Sequence, residues 1–302
     1  MAPKKENILI TGATGFVGRA LTEKLLTYKR NLFLVSRNKN FKNNKAKVLY
    51  GDLNDLDFCK KTLSGIQTVF YLAGYKKNLA YHIKYASDFI AGNVEPLLVF
   101  LKAFGKSSAR RLIYLSSTHA GRDWEKENDG YAIAKYINEL MLRSFAEQRK
   151  IEVKIIRSAP IYGPGDNFNP ETANFIPSTI IKVSASKDRM MVWGSGSRKM
   201  QFIYVDDLVS NLMAAQTCPG NFYVVGHPQA LSVNQVIKKI INLCAKKLLI
   251  EHDLTKPDKP TRLFNFNNLI APKISFNEGL KRTLAYFRQL NGQKLSNHPH
   301  LQ

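Results

Sequence analysis

The strongest constraint on this chain lies at its start. The apolar run NILIT (7–11) leads into TGATGFVG and then into a stretch with Ala20, Leu21, Leu25 and Leu26 at helical spacing. This is a short buried strand that feeds a helix through Gly12, Gly15 and Gly18. The first glycine permits the tight turn, the second lets the backbone approach a pyrophosphate, and the third lets the helix pack close to the sheet. Three glycines alone are a weak signal. The strand before them and the helix after them make this a dinucleotide-binding turn, with Gly12, Thr14, Gly15, Phe16, Val17 and Gly18 as its expected cofactor contacts.

The same alternation continues along the chain. Strand-like runs occur at 32–36, 48–50, 68–72, 111–115 and 153–157, and long helical stretches at 86–104 and 131–146. Strands alternating with helices imply βαβ crossovers and a parallel sheet. The expected fold is α/β, a Rossmann-type doubly wound parallel sheet with a smaller C-terminal substrate-binding lobe. After Gly165 the texture changes, with Pro164, Pro170 and Pro177 close together and then Gly194 and Gly196. The run QFIYVDDLVSNLMAA returns to a strand and a helix. The expected nucleotide-binding domain is therefore 1–165 with 201–225 returning to it, and the substrate lobe is 166–200 with 226–302. One or two helices (232–245 and 277–290) flank a polar linker, TKPDKPT, and the last dozen residues show no periodicity.

The end of the second strand bears on which dinucleotide is bound. An acid there would hold the ribose 2′-hydroxyl of NAD; this chain has Ser36 and Arg37 instead, and a guanidinium suits a 2′-phosphate. NADP(H) is the expected cofactor, with NAD(H) as the alternative. Asp52 and Leu53 follow the third strand, where an adenine edge would lie. Asp52 either accepts from the adenine amino group or simply closes a turn.

Tyr131 and Lys135 are four residues apart on an expected helix, which puts both on one face. A neighbouring ammonium and a positive nicotinamide favour the phenolate and make Tyr131 a usable acid or base. A hydroxyl must also polarise the substrate carbonyl. Ser116, Ser117 and Thr118 close the fifth strand, at the sheet edge where ligands gather.

Taken in order, TGATGFVG, GDLND, YAIAK, IYGPGD and FIYVDDL resemble the sequence blocks of the extended short-chain dehydrogenase/reductases, the NAD(P)-dependent epimerase/dehydratase group. The likeness spans nearly the whole chain. The stretch YGPGDNFNPETANFIPSTIIK followed by VWGSG is similar to GDP-fucose synthase and other nucleotide-sugar 4-keto reductases and epimerases. The resemblance implies Ser117 as the catalytic hydroxyl, with Thr118 as runner-up. It implies Tyr131 as proton donor and acceptor, and Lys135 as the residue that holds the nicotinamide ribose and tunes Tyr131. It further implies that Asn93 supports the lysine through water, and that Ala73 and Gly74 are the backbone passing the cofactor. A homodimer built on a four-helix interface is also implied. Tyr162 and Gly163 either shape the nicotinamide end of the cleft or pack.

The chain departs from the pattern at four places. Pro160 stands where these enzymes usually carry Asn, Asn174 replaces an acid/base His, His119 replaces its partner Cys, and Met200 replaces an Arg. Net reduction is thus favoured over double epimerisation, with His119 a substitute acid/base or a structural residue. Asp206 and Asp207 are read as anchors of the return strand and caps of a helix. Trp193 either lines the substrate pocket or packs the second lobe.

Lys and Arg number 45 against 23 Asp and Glu, a net charge of +22 that attracts anions. The three cysteines, Cys59, Cys218 and Cys244, are scattered and give no disulfide or metal spacing. No metal is expected, no apolar stretch reaches membrane-spanning length, and a cytoplasmic location fits. The expected partner is a small-molecule substrate, a nucleotide-linked 4-keto sugar. Three rivals stay open: a 4-epimerase that retains NAD, a reductase of a non-sugar ketone, and an RNA-binding or assembly protein on this fold. The intact Tyr/Lys pair argues against the last, and so against nucleic acid as a partner.

Overall fold

A computed structural model describes residues 6–28, 30–77, 79–121 and 128–296. The chain forms two compact units. One comprises Met1–Ser158, Leu208–Val225 and Asn267–Ile270; the other comprises Ala159–Asp207, Gly226–Phe266 and Ala271–Gln302. The divisions fall at Ser158 and Leu208, against the 165 and 201 read from the change in sequence texture, and a short segment near 267 also joins the first unit.

In the first unit the chain runs β1 (Asn7–Thr11), α1 (Phe16–Leu26), β2 (Asn31–Ser36), β3 (Lys47–Tyr50), α2 (Leu56–Thr62) and β4 (Thr68–Tyr71). It continues through α3 (Leu79–Lys84), α4 (Ala86–Phe104), β5 (Arg111–Ser117), α5 (Gly130–Arg149) and β6 (Glu152–Ser158). The next elements are β7 (Ile161–Tyr162), α6 (Phe175–Ala185), β8 (Arg189–Trp193), β9 (Lys199–Met200), β10 (Ile203–Tyr204) and α7 (Val205–Ala214). The chain ends with β11 (Phe222–Val225), β12 (Leu231–Ser232), α8 (Val233–Leu243), β13 (Leu249–Asp253) and α9 (Phe276–Ser296).

Seven strands form one sheet in the order β11-β6-β5-β4-β1-β2-β3. Every pairing in it is parallel. The chain moves outward from β1 to β3 and then crosses back to β4. The strand order therefore reverses at the carboxyl ends of β1 and β4, the place where such sheets bind ligands. The strands are apolar on both faces because helices cover both sides. Ile8, Leu9 and Ile10 are fully buried. Around Leu9, Val69 and Leu112 lie Phe100 and Phe104 of α4, with Tyr71 edge-on to Phe100 at 5.2 Å between ring centres. The seventh strand, β11, is the one the pattern reading omitted. Its four residues sit between Gly220 and Gly226, too short a run to declare a period.

The second unit contains three two-stranded pairings, β7 with β10, β9 with β12 and β8 with β13. α8 opens with a capping box in which Ser232 Oγ accepts from Gln235 N at 3.1 Å while Gln235 Oε1 accepts from Ser232 N at 2.8 Å. Among the described residues no helix is long and apolar enough to cross a membrane.

α5 starts hard against α4 at Gly130, where an added Cβ would lie 2.6 Å from Ala86 Cα. Backbone cannot yield there as a side chain can. Gly130→Ala is expected to destabilise the protein by about 1–3 kcal/mol in urea unfolding. An unchanged midpoint would show that the helices can part at no cost.

Candidate active site

The glycine turn sits at the reversal point. Gly12 has φ +68°, and a Cβ on it would lie 2.7 Å from Ala73 N. Thr11 Oγ1 accepts from Leu72 N and Ala73 N, both at 3.2 Å, so the ends of β1 and β4 are knitted together. A Cβ on Gly18 would clash with Gly12 O and lie 2.8 Å from Ala13 Cα, which is why α1 can start directly beneath the turn. Gly15 is the N-cap of α1; it brings no capping side chain, and no acid occupies the first turn. The positive end of the helix and its unpartnered N–H groups are left for an anion, with Thr14 and Gly15 exposed beside them. This arrangement fits a dinucleotide pyrophosphate. Val17 and Gly18 are buried behind the turn, and Phe16 is half-buried.

At the end of β2, Arg37 is exposed while Ser36 is buried. Ser36 Oγ is spent locally, accepting from Asn38 N and donating to Asn38 O, each at 3.0 Å. Asp52 is exposed, and its Oδ1 closes a turn by accepting from Asn54 N at 2.9 Å. Leu53 is buried in the sheet core.

β5 runs two residues further than its apolar run suggested, so Ser116 and Ser117 are its last residues and Thr118 the first beyond it. Their hydroxyls have different fates. Ser116 Oγ donates to Glu139 Oε1 at 2.5 Å, and Glu139 also takes Arg157 Nε at 2.8 Å and Nη2 at 2.6 Å. Ser117 Oγ accepts from His119 N at 3.1 Å in a local turn. Thr118 is held by its backbone N–H, which donates to Ser158 O at 3.0 Å. Its Oγ1 is buried and has no hydrogen-bond partner among the described residues.

Tyr131 and Lys135 lie on the buried face of α5. Lys135 Nζ donates to Leu115 O at 2.7 Å and stands 5.8 Å from the centre of the Tyr131 ring. Lys76 Nζ is 5.5 Å from the same ring. Burial lowers the Lys135 amine from 10.5 to about 7; the charge of Lys76 acts in the same direction, and Glu139 opposes it. Asp129 is the N-cap of α5, accepting from Tyr131 N at 3.1 Å and Ala132 N at 3.2 Å. Burial pushes its carboxyl up, but hydrogen bonds from His82 and Ala132 outweigh this and hold it below the ordinary range.

Asn93 clamps the segment after β4. Its Oδ1 accepts from Tyr75 N, and its Nδ2 donates to Tyr75 O, both at 2.9 Å. Its carbonyl takes Asn138 Nδ2 at 3.1 Å. Gly74 packs beside it: a Cβ there would lie 3.2 Å from Asn93 Oδ1 and 3.9 Å from Lys135 Nζ. The turn, Ala73, Gly74, Asn93, Thr118, Tyr131 and Lys135 all belong to the first unit. Tyr162 belongs to the second, where it is buried among Phe202, Tyr204 and Phe276 with its hydroxyl donating to Phe276 O at 3.4 Å. That is a packing environment. Asp207 accepts from Lys273 N at 2.9 Å and Ile274 N at 3.1 Å, which ties the first turn of α7 to the segment before α9. Trp193 is 73% exposed on β8, so it does not pack the second unit. Among the described residues no cluster of His, Cys, Asp and Glu is arranged to hold a metal ion.

Sequence reasoning passed over His82 and Asp129. An Asp just ahead of an expected helix is an N-cap signal and was available for Asp129; His82 has no local signal, because its contacts come from α5 and from the segment after β4.

The profile of the NAD-dependent epimerase/dehydratase family matches residues 8–226. The chain belongs to this family. Like its relatives, this epimerase/dehydratase-family protein is an NAD(P)-dependent enzyme. It is 23% identical to a dTDP-4-dehydro-6-deoxy-D-allose reductase of Streptomyces bikiniensis, over 93% of this chain and 96% of that protein. It is 24% identical to a putative GDP-L-fucose synthase of Arabidopsis thaliana, over 97% of this chain and 95% of the relative. A crystal structure of UDP-glucose 4-epimerase from Thermotoga maritima, determined with UDP-glucose, superposes with a TM-score of 0.81 at 25% identity, covering 94% and 99% of the two chains.

The buried amine of this enzyme makes stability depend on pH. The unfolded chain holds the Lys135 proton up to its ordinary 10.5, whereas the native protein releases it near 7. The unfolded state thus binds more protons between those values, and this group's contribution to stability rises with pH across the window. The unfolding free energy of wild type minus that of Lys135→Met should climb from pH 7 to 10 in denaturant titrations. A flat difference would contradict the shifted amine.

Proposed function

We propose that the protein is an NADP(H)-dependent reductase of a nucleotide-linked 4-keto sugar. The observation that carries this reading is the bond from Lys135 Nζ to Leu115 O, which ties the helix bearing Tyr131 to the strand end bearing Thr118. Thr118, rather than Ser117, supplies the hydroxyl that polarises the carbonyl. Its Oγ1 is buried without a partner among the described residues, whereas Ser117 is engaged by His119 N and Ser116 by Glu139. An unpaired buried hydroxyl is costly unless a ligand completes it.

The glycine turn and the open end of α1 hold the pyrophosphate, Arg37 meets the 2′-phosphate, and Lys135 holds the nicotinamide ribose. The cofactor, when bound, carries the hydride. Tyr131 delivers its hydroxyl proton to the carbonyl oxygen as charge develops there, while Thr118 Oγ1 donates a hydrogen bond to the same atom. Lys76 places positive charge near the phenol as it gives up its proton, and Lys135 adds to it in its protonated form. The basic surface favours approach of an anionic substrate.

Reduction is preferred to 4-epimerisation because Arg37 replaces the acid that would select NAD, and double epimerisation is disfavoured because His119 and Asn174 stand where a Cys/His pair would be needed. An epimerase would retain its dinucleotide and use none from solution, so consumption of added NADPH separates the two readings.

Assayed against GDP-, UDP- and dTDP-linked 4-dehydro-6-deoxyhexoses, the enzyme should oxidise NADPH with at least one. Tyr131→Phe is expected to lower kcat about 10²–10⁴-fold and Thr118→Ala about 10²-fold, with Ser117→Ala nearly unchanged. A greater loss at Ser117 than at Thr118 would reverse the assignment of the hydroxyl. By calorimetry NADPH should bind more tightly than NADH, and Arg37→Ala should cost NADPH about tenfold while sparing NADH. Tighter binding of NADH by the wild type would contradict the cofactor preference.

A further inference from the structure

The short helix α3 carries His82, a residue that neither the glycine turn nor the Tyr/Lys pair requires. It is 5% exposed, and its ring meets four neighbours at once. Nδ1 lies 3.4 Å from Asp129 Oδ1. Nε2 accepts a hydrogen bond from the Lys77 backbone N–H at 3.2 Å. The ring face stacks on Tyr131, with centres 5.0 Å apart and planes 23° from parallel, and Phe89 meets the ring edge-on at 4.7 Å.

Both ring nitrogens are committed. Because Nε2 accepts from a backbone N–H, the ring proton resides on Nδ1, facing the carboxylate. An imidazole so tied cannot trade a proton with a substrate without giving up one of these contacts. It can, however, fix the position of what it touches.

We propose that His82, paired with Asp129, is a positioning residue that sets the ring plane of Tyr131 and the placement of Lys76 above it. The inference rests on the reading of Tyr131 as the proton donor. Asp129 Oδ1 is the oxygen that caps the N–H groups of Tyr131 and Ala132, so the carboxylate that starts α5 is also the one His82 approaches. On its other side His82 holds Lys77, while Asn93 holds both backbone groups of Tyr75. Lys76 lies between these two clamps. A six-residue helix has little stability of its own, and His82 gives α3 its fixed contacts to the site. Second-layer contacts of this kind matter because small misplacements of a reacting group are costly: about 1 Å can lose about 10²-fold in rate.

The test compares full-length variants in the NADPH-oxidation assay, using a GDP- or dTDP-linked 4-dehydro-6-deoxyhexose. His82→Phe keeps a flat ring against Tyr131 and removes both nitrogens. Asp129→Asn keeps a good N-cap and removes the charge. Each should lower kcat about tenfold or more while KM for sugar and for NADPH stays within about threefold, a split expected when only transition-state geometry suffers. The double variant should lose no more than the worse single, because the two residues act as one unit. A histidine-selective ¹⁵N spectrum of the unaltered protein at neutral pH should show His82 as the Nδ1–H tautomer, a readout that needs neither turnover nor a variant. Wild-type kcat in His82→Phe, losses that multiply in the double variant, or an Nε2–H tautomer would each overturn the proposal. Tyr131→Phe separates the two layers of argument. If it keeps wild-type kcat, the proton-donor reading itself fails; if it is inactive while His82→Phe is fully active, only the positioning pair fails.

Discussion

A buried lysine side chain bound to a strand-end carbonyl organises this site. Lys135 reaches Leu115 O from the inward face of α5, and it is not alone there: Tyr131, Asn138 and Glu139 share that face and are all at most 8% exposed. A helix that turns such a face to a sheet would incur large desolvation costs unless most of these groups found partners. Lys135 has Leu115 O, Asn138 donates to Asn93 O and to Tyr114 Oη, and Glu139 takes Ser116 and Arg157. Apolar packing tolerates small slips and rotations; this set of polar pairs does not. It sets the register of α5 against β5 and therefore where Tyr131 stands relative to Thr118.

Much of this was legible in the sequence, for identifiable reasons. The glycine turn, the alternating strands and the 19-residue α4 announce themselves through local periodicity, and α4 begins and ends where its apolar pattern does. The Tyr/Lys pair is a local feature too, being one helical turn apart. What local pattern could not supply was the fate of three neighbouring hydroxyls. Ser116, Ser117 and Thr118 look equivalent in a row, and only the arrival of Glu139 from 23 residues away removes Ser116 from consideration. The same holds for His82, whose partners come from other elements, and for Tyr162, whose hydroxyl faces Phe276 O across 114 residues of sequence. The reversal point of the sheet was foreseeable as a class of place, but β11 was not, because four residues between glycines declare no period.

In the proposed reading the turn, the open helix end and the Tyr/Lys pair serve cofactor and proton transfer. Arg37 at the end of β2, a Thr118 hydroxyl without a partner among the described residues, and an imidazole stacked on the phenol are the features that point the proposed chemistry to reduction and link it to the first turn of α5. The excess of positive charge suits the anionic ligands of the proposed reaction, a dinucleotide and a nucleotide sugar.

The most direct test of this account follows a single atom. NADPH carrying deuterium at the transferred C4 position would be incubated with the sugar-nucleotide panel, and products read by mass spectrometry for wild type and Lys135→Met. The account predicts one deuterium on the sugar of the wild-type product and almost none with Lys135→Met over the same interval. Label transfer by Lys135→Met at the wild-type rate would show that the buried lysine does not hold the site together.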